Sequence, residues 1–454
     1  MPPNLEGVLS LAAPSTVPEL PPGRAYRILI GSAIVLGLAA ILYTMLNGEL
    51  FRPVRQSIEA GNLSASVLKP SLIWAAMGLL MLALRTLLWF SYRPIDAATN
   101  ESAPTMTVVI PAYNEGAMVE QSIDSVAAAR YPAGRLEILV VDDGSTDDTW
   151  THIQRAAARR PDLVTAVRLD HNQGKRVALA TGFRAARGEI LVTIDSDSVI
   201  ETGALLAMAG PFRDPRVGAV AGKVAALNRD SGFIPRMLHV RYVLSFDFLR
   251  SVQSTYRTVY CCPGALAAYR ASVVRELLEP WLHQRFLGVR CTYGEDRALT
   301  NDILARGFDA VYQGNAVVHT LVPDTYAKLC KMYLRWDRSY IREELRFARI
   351  VWKRPLVPML LAIFEKLITN LRFPVAWTAT IMLALIAASD PMALVRVLMA
   401  IGVGASFYML YYVYTERSMR FVHGIFYAYF AFFALWWIFP YAIMTVRSRS
   451  WMTR

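Results

Sequence analysis

Two kinds of hydrophobic pattern alternate along this chain. Between Thr105 and about Trp352, short apolar runs take turns with amphipathic stretches. Thr107–Ile110, Leu136–Val141, Leu163–Leu169 and Ile190–Ile194 read as strands. Met118–Ala129, Thr149–Arg159 and Lys175–Arg187 read as the helices between them. That alternation predicts βαβ units, an α/β fold and a mostly parallel sheet. In such sheets ligands bind beyond the carboxyl ends of the strands. Asn114-Glu115, Asp142-Asp143 and Asp195/Asp197 all fall at such ends.

On either side the runs become longer and lose their polar partners. Ile28–Leu46 is an uncharged stretch of 19 residues, about the length that spans a bilayer. Ser71–Tyr92 is a second candidate span, interrupted only by Arg85. Close to a helix end, Arg85 is expected to snorkel to the headgroups; the alternative is that it faces a polar pathway inside a helix bundle. Tyr326–Lys353 is basic, aromatic and amphipathic, which suits a helix lying at the membrane interface. Pro355–Leu371 carries Glu365 and Lys366 and is read as interfacial too. Phe373–Ser389, Val397–Tyr414 and Phe421–Val446 are further membrane segments, the last expected to break near Pro440. The expected organisation is a tail (1–25), two transmembrane helices (26–92), a soluble domain (105–325), interface helices (326–372), C-terminal transmembrane helices (373–446) and a basic tail (447–454). Arg417 and Arg420 place their loop inside, and Arg447, Arg449 and Arg454 argue for a cytosolic C-terminus. A simple count of three C-terminal spans conflicts with that.

Composition supports the membrane reading. Hydrophobic residues make up 54% of the 454, and mean hydropathy is +0.31. A net charge of +12 fits Lys and Arg meeting anionic lipid on the cytoplasmic side, and it would attract a negatively charged ligand. No basic run interleaved with aromatics points to nucleic acid. Cys261, Cys262, Cys291 and Cys330 form no CxxC pair, so they read as free thiols in a reducing cytosol rather than a zinc site or disulfide framework. No small-residue cleavage site follows the first apolar run, which is read as a retained anchor.

The chemistry is carried by acidic groups that end apolar or aromatic runs. Along a strand, Asp195 and Asp197 would point to one side and hold a divalent cation, Mg²⁺ or Mn²⁺, against a diphosphate; a lone pair of this kind also caps helices. Asp142 and Asp143 would accept hydrogen bonds from a nucleobase or ribose. They also fit an Asx turn with Ser145 or Thr146 starting the next helix, with Gly144 allowing the turn and leaving room for a ligand. Lys175 and Arg176 place two cations at a helix start, which suits a diphosphate, although a solvated helix start has the same look. In Gly294-Glu295-Asp296-Arg297, Asp296 is the candidate general base for an acceptor hydroxyl, beside Glu295, and Arg297 would hold the loop; a salt-bridged surface turn is the alternative. Arg335 would supply a further cation for the diphosphate and Trp336 an aromatic face for a sugar ring, unless the pair is only an interfacial aromatic with a basic neighbour. His239, His283, His319 and His423 form no close pair at helical spacing and receive no ligand role.

Taken in order, Pro111-Ala112-Tyr113-Asn114-Glu115, Val141-Asp142-Asp143-Gly144-Ser145, Gly174-Lys175-Arg176 and Asp195-Ser196-Asp197 resemble the membrane-embedded family 2 glycosyltransferases. Cys261-Cys262-Pro263-Gly264-Ala265, Phe286-Leu287-Gly288 leading to Tyr293–Thr300, Arg335–Tyr340 and Trp451–Arg454 narrow the resemblance. They point to the branch of bacterial hyaluronan synthases and nodulation-type chitooligosaccharide synthases. The resemblance implies a cytosolic, Rossmann-like GT-A domain, UDP-sugar donors with Mg²⁺ or Mn²⁺, and inversion at the anomeric carbon. It also implies β-linked products rich in N-acetylglucosamine, and it places Gly264 on the acceptor side. Two positions depart from the pattern: Met332 stands where the family has Gln, three residues before Arg335, and Leu249 stands where it has Glu. The expected protein is a multi-pass inner-membrane enzyme with three partners: a UDP-sugar, a growing polysaccharide and membrane lipids. It would polymerise UDP-N-acetylglucosamine, with or without UDP-glucuronic acid, into an extracellular glycan of hyaluronan type. The alternatives are a chitooligosaccharide synthase using UDP-N-acetylglucosamine alone, a non-processive transferase acting on a lipid carrier, and an inactive scaffold or sensor. Retention of every carboxylate disfavours the last.

Overall fold

A computed structural model describes residues 70–448, with Gln56 and Ala60. The expected span Ile28–Leu46 and residues 449–454 lie outside the described residues. Two compact units form, one from Ser91–Ala362 with the segment that starts at Phe430, the other from the chain up to Phe90 with Ile363–Tyr429.

Helix α1 (Pro70–Ser91) comes first. The larger unit then runs β1 (Met106–Ala112), α2 (Met118–Ala127), β2 (Leu136–Asp142), α3 (Thr149–Arg159), β3 (Val164–Arg168), α4 (Lys175–Ala185), β4 (Ile190–Thr193), β5 (Ser198–Ile200) and α5 (Ala204–Ala209). It continues with β6 (Val217–Ala226), α6 (Phe233–Val243), a π-helical stretch (Leu244–Arg250) and α7 (Ser251–Thr255). Next come β7 (Ala267–Arg270), α8 (Ala271–Leu282), β8 (Arg285–Phe286), β9 (Val289–Arg290), α9 (Glu295–Ala305), β10 (Asp309–Thr320) and α10 (Tyr326–Ile350). The apolar helices α11 (Leu356–Ile386), α12 (Met392–Glu416), α13 (Phe421–Ala434) and α14 (Ile438–Met444) follow.

Eight strands form one sheet in the order β3-β2-β1-β4-β7-β6-β10-β5. The β3-β2-β1-β4 half is parallel throughout, as the βαβ alternation requires. Beyond it β7 runs antiparallel to both neighbours and β5 antiparallel to β10, while β6 and β10 are parallel. The sheet is therefore mixed. Every residue of β1 is buried, as expected of a central strand covered by helices on both faces. Pro111 is tolerated there because pairing with β4 ends at Val109, so its missing N–H interrupts no ladder. Strand β4 ends there, at Thr193, and the turn that carries Asp195 follows at the carboxyl edge.

The hydrophobic segments differ from expectation in three places. Pro355–Leu371 and Phe373–Ser389 are not separate pieces: α11 runs through both, with Pro374 inside it. The break in Phe421–Val446 falls before Pro440, between α13 and α14, and Pro440 sits in the first turn of α14, where a missing N–H costs no hydrogen bond. Arg85 does not snorkel. Its guanidinium lies 3.2 Å from Glu365 and 3.4 Å from the Thr369 hydroxyl, all three within the smaller unit. Pairing inside a bundle satisfies two charges that lipid would not. Among the described residues, one helix, Met392–Glu416, is long and apolar enough to cross a membrane, or two if α13 and α14 form one span.

Candidate active site

The loops after β1 and β2 are bolted together by their own side chains. Asn114 adopts φ +53°. Its side-chain oxygen accepts from the Thr146 N–H at 2.9 Å and its backbone N–H donates to the Ser145 hydroxyl at 3.0 Å. The N–H groups of Glu115 and Gly116 both donate to the Thr149 hydroxyl at 2.8 Å. Asp142 is fully buried; it accepts from the Ser145 N–H at 3.1 Å and from its hydroxyl, and Arg168 lies 3.1 Å from its second oxygen. Asp143 accepts from the N–H groups of Gln173 and Gly174, each at 2.8 Å. Burial raises the Asp143 carboxyl above its usual range, partly offset by those two N–H groups. Both acids thus act first as architecture, but not through the expected Asx turn, because Asp142 accepts from Ser145 three residues on and Asp143 accepts from the distant Gln173–Gly174 loop. The helix start differs from that reading, because Asp147 and not Ser145 or Thr146 accepts from the Thr149 N–H, at 3.0 Å. Gly144 (φ +69°) leaves no room for a ligand at its α-carbon, since a Cβ there would collide with the backbone of His171 and Asn172.

Asp195 and Asp197 lie in the turn between β4 and β5 rather than on a strand, so alternation does not align them. The turn closes through the Ser198 N–H donating to the Asp195 carbonyl at 3.1 Å. The hydroxyls of Ser198 and Thr320 donate to Asp197, each at 3.1 Å. The Lys175 ammonium donates to Asp195 and stands 3.5 Å from Glu295. Burial alone would lower the Lys175 pKa, but Asp195 and Glu295 outweigh it and hold the ammonium well above its usual range. Gly264 packs against this pair, since a Cβ there would come within 2.9 Å of the Lys175 nitrogen. One cation therefore ties the Asp195 turn to the Glu295-Asp296 pair.

Those two adjacent carboxyls are pushed apart electrostatically. Burial raises Glu295, but Lys175, its own N–H, Arg176 and Arg335 more than compensate and leave it below its usual range. One Glu295 oxygen is buried without a hydrogen-bond partner. Burial and then the Glu295 charge raise Asp296, against the pull of the Arg297 N–H and Lys175. The Cys261 thiol, pushed up to about 12 by burial and by the Asp296 charge, stays protonated at neutral pH and lies 3.5 Å from Asp296. An ionised neighbour beside a carboxylate of raised pKa is the arrangement a general base needs.

Arg176 corrects the expectation that it neutralises a diphosphate. It is buried, donates to the Trp281 carbonyl at 2.7 Å and the Gln284 side chain at 2.8 Å, and lies over the Trp281 ring at 5.2 Å. Trp281 in turn donates from its ring N–H to the Glu295 carbonyl at 2.9 Å. Arg176 supports the acidic turn from behind. Arg297 lies 3.6 Å from Glu344 and over the Tyr340 ring at 5.2 Å.

Helix α10 is more than an interfacial helix. Arg338, Ser339, Arg342 and Glu343 are buried on it, and Arg342 donates to the Tyr293 carbonyl. Gly294 (φ +76°) is pressed against Ser339, and a Cβ would overlap that side chain. We expect Gly294→Ala to force the acidic turn off α10 and to lower activity far more than it lowers thermal stability, measured on the same membrane preparation. Trp336 is 41% exposed and packs against Tyr333 (5.6 Å) and Tyr242 (6.4 Å). Sequence reasoning gave no site role to Tyr242, Arg250, Gln284 or Glu343, and it singled out Cys261 only as a free thiol and as the start of Cys261-Cys262-Pro263-Gly264-Ala265. The basic and aromatic density of Arg241–Arg250 was the signal for Tyr242 and Arg250.

The sequence pattern described as Glycosyl transferase family 2 matches residues 107–278. An N-acetylglucosaminyltransferase of Azorhizobium caulinodans is 32% identical over 353 residues, covering 77% of this chain and 87% of its own. The chain is a family 2 glycosyl transferase. A hyaluronan synthase of Streptococcus pyogenes is 33% identical over 298 residues, covering 64% of this chain and 70% of its own. Among solved structures, a mannosyltransferase from Pyrobaculum calidifontis in complex with GDP-Man and Mn²⁺ superposes with a TM-score of 0.55 at 25% identity, over 79% of this chain and 98% of that one. The transferase therefore has a GT-A-like sheet, and the acidic groups described above gather at the edge where such sheets bind ligands.

Proposed function

We propose that this transferase moves N-acetylglucosamine from UDP-N-acetylglucosamine onto the hydroxyl end of a β-linked glycan at the inner face of the plasma membrane. The observation that carries the reading is Lys175 joining Asp195 to Glu295, with Asp296 beside it: a charged donor end and a basic acceptor end in one cleft. Two kinds of relative support the sugar, the N-acetylglucosaminyltransferases and the hyaluronan synthases. The apolar helices α11 to α14 support the membrane placement.

Asp195 and Asp197 fit a divalent cation, Mg²⁺ or Mn²⁺, that is held jointly with the donor. No group of three or more His, Cys, Asp or Glu able to hold a metal occurs among the described residues. Two carboxylates on one turn give a partial oxygen shell of the kind completed by substrate phosphates and water. When bound, such an ion neutralises charge on the departing diphosphate. Lys175 and Arg335 add positive charge on the same side. Asn114, Glu115, Asp142 and Asp143 shape the nucleoside end through the loops they bolt. Gly264 brings the chain close to Lys175. Asp296 takes the proton of the acceptor hydroxyl, and Trp336 offers its exposed face to the acceptor ring. Divalent-dependent release of UDP from UDP-N-acetylglucosamine by the purified protein tests the reading, and metal-independent or absent turnover would defeat it.

The raised Asp296 pKa gives a pH signature. A base acts only when deprotonated, so activity is lost as pH falls through its pKa, and the acid limb of kcat/KM should lie above the usual aspartate range. Glu295→Gln removes one of the two causes of the rise and should move that limb to lower pH. A limb that stays put in a pH series would show that Asp296 does not titrate there.

A further inference from the structure

The Asp296 carboxylate is gripped at both oxygens. Its Oδ1 accepts from the Arg297 N–H at 2.7 Å, inside α9. Its Oδ2 accepts from the Cys261 thiol at 3.5 Å. Cys261 belongs to the segment that leads into β7, and that segment is tied to α9 a second time. The Cys262 N–H donates to the Thr300 hydroxyl at 3.1 Å, and the same hydroxyl donates to the Asp296 carbonyl at 2.8 Å, one helical turn back. Asp296, Thr300, Cys262 and Cys261 thus close a ring of bonds. Thr300 and Cys262 are fully buried, which keeps water from competing for that ring.

The rest of the segment is fixed as well. Arg250 donates to the Cys261 carbonyl at 3.3 Å, and the Tyr269 hydroxyl donates to the Cys262 carbonyl at 3.4 Å. Three residues after Cys261, Gly264 passes so close to Lys175 that a Cβ would come within 2.9 Å of its nitrogen. One short segment therefore touches both Lys175 and Asp296.

The charges around this contact are few. Burial and the Glu295 charge raise the Asp296 carboxyl, while the Arg297 N–H, Lys175 and the Arg297 guanidinium lower it. Arg297 and Arg250 also stand near the thiol. An ionised carboxylate offers about four acceptor positions. Two fixed donors on different oxygens set its plane and leave the remaining positions for an acceptor hydroxyl. A thiol is a weak donor. It orients the carboxylate and takes little of its basicity, where a hydroxyl or a cation would hold the charged form more tightly.

Resting on the general-base role proposed above, we infer that Cys261 is a positioning residue of the transfer step: its S–H fixes the Asp296 carboxylate in the orientation that receives the proton of the acceptor hydroxyl. Cys261 touches no reacting atom and acts only through Asp296.

The test is Cys261→Ala in the full-length protein, assayed for UDP release from UDP-N-acetylglucosamine with Mn²⁺ over a pH series. The expected kcat is about tenfold lower, the worth of one hydrogen bond to a charged group, with KM for UDP-N-acetylglucosamine unchanged. The acid limb should move to higher pH, because a donor to the charged form of Asp296 is gone. Cys261→Val also lacks a donor and gives the same readout should Cys261→Ala not fold. A wild-type kcat and acid limb in these variants, beside an inactive Asp296→Asn, would overturn this inference alone. A fall in kcat with an unmoved acid limb would assign Cys261 a merely structural role and overturn it as well. Near-normal turnover by Asp296→Asn would overturn the general-base reading and this inference with it.

Discussion

Asp296→Asn should abolish glycosyl transfer while leaving UDP binding nearly intact. The side chain keeps its shape and can still accept from the Arg297 N–H, 2.7 Å away in the wild type, so the turn has no reason to move. What disappears is the ability to take a proton, worth about 10²- to 10⁴-fold in rate. The Lys175–Asp195 contact that organises the diphosphate side does not involve Asp296, so nucleotide affinity should hardly change. Calorimetry with UDP and a turnover assay on one preparation separate the two. Near-normal turnover in the variant would remove Asp296 from the reaction and leave Glu295 as the only acidic candidate in the turn.

The second large effect concerns stability. Glu343 has a fully buried carboxylate that accepts from Gln284 at 2.7 Å, from Asn301 at 3.0 Å and from Arg346 at 2.8 Å, with Arg342 3.5 Å away. It anchors α10 to α9 and to Gln284 in the loop after α8, and through Gln284 it also fixes Arg176 behind the acidic turn. Glu343→Gln would leave Arg342 and Arg346 short of a buried counter-charge, at a cost of about 3–5 kcal/mol. Thermal inactivation or limited proteolysis in membranes should show the protein far less resistant than wild type. Unchanged resistance would mean that Asp302, which lies 2.5 Å from Arg346, suffices as counter-ion.

The first half of the sheet was readable from hydrophobic periodicity because each strand there is a short, mostly apolar run and helical stretches separate the runs. Helix α3 falls where the pattern put it, at Thr149–Arg159. The second half was not readable in this way. Strand β7 is four residues long, β10 carries a register shift, and neither has a period to detect. The acidic motifs marked the site because carboxylates at the ends of apolar runs are conspicuous. Their internal engagements were not legible, since nothing in Asp142-Asp143-Gly144 says whether a ligand or His171 fills the space above the glycine. Arg176 illustrates the same limit. A basic pair at a helix start looks like a phosphate clamp, but helical geometry turns adjacent side chains about 100° apart, and only Lys175 faces Asp195. Glu343 and Arg342 were visible only as part of the amphipathic segment Tyr326–Lys353. Their burial depends on packing against α9 and the loop after α8, which no local pattern encodes.

The most direct test of the whole account is product formation in inverted membrane vesicles supplied with Mg²⁺ or Mn²⁺ and labelled UDP-N-acetylglucosamine, with and without UDP-glucuronic acid. The account predicts incorporation from UDP-N-acetylglucosamine alone into a product that chitinase cuts and that Asp296→Asn does not make. No incorporation from UDP-N-acetylglucosamine under either condition would contradict it.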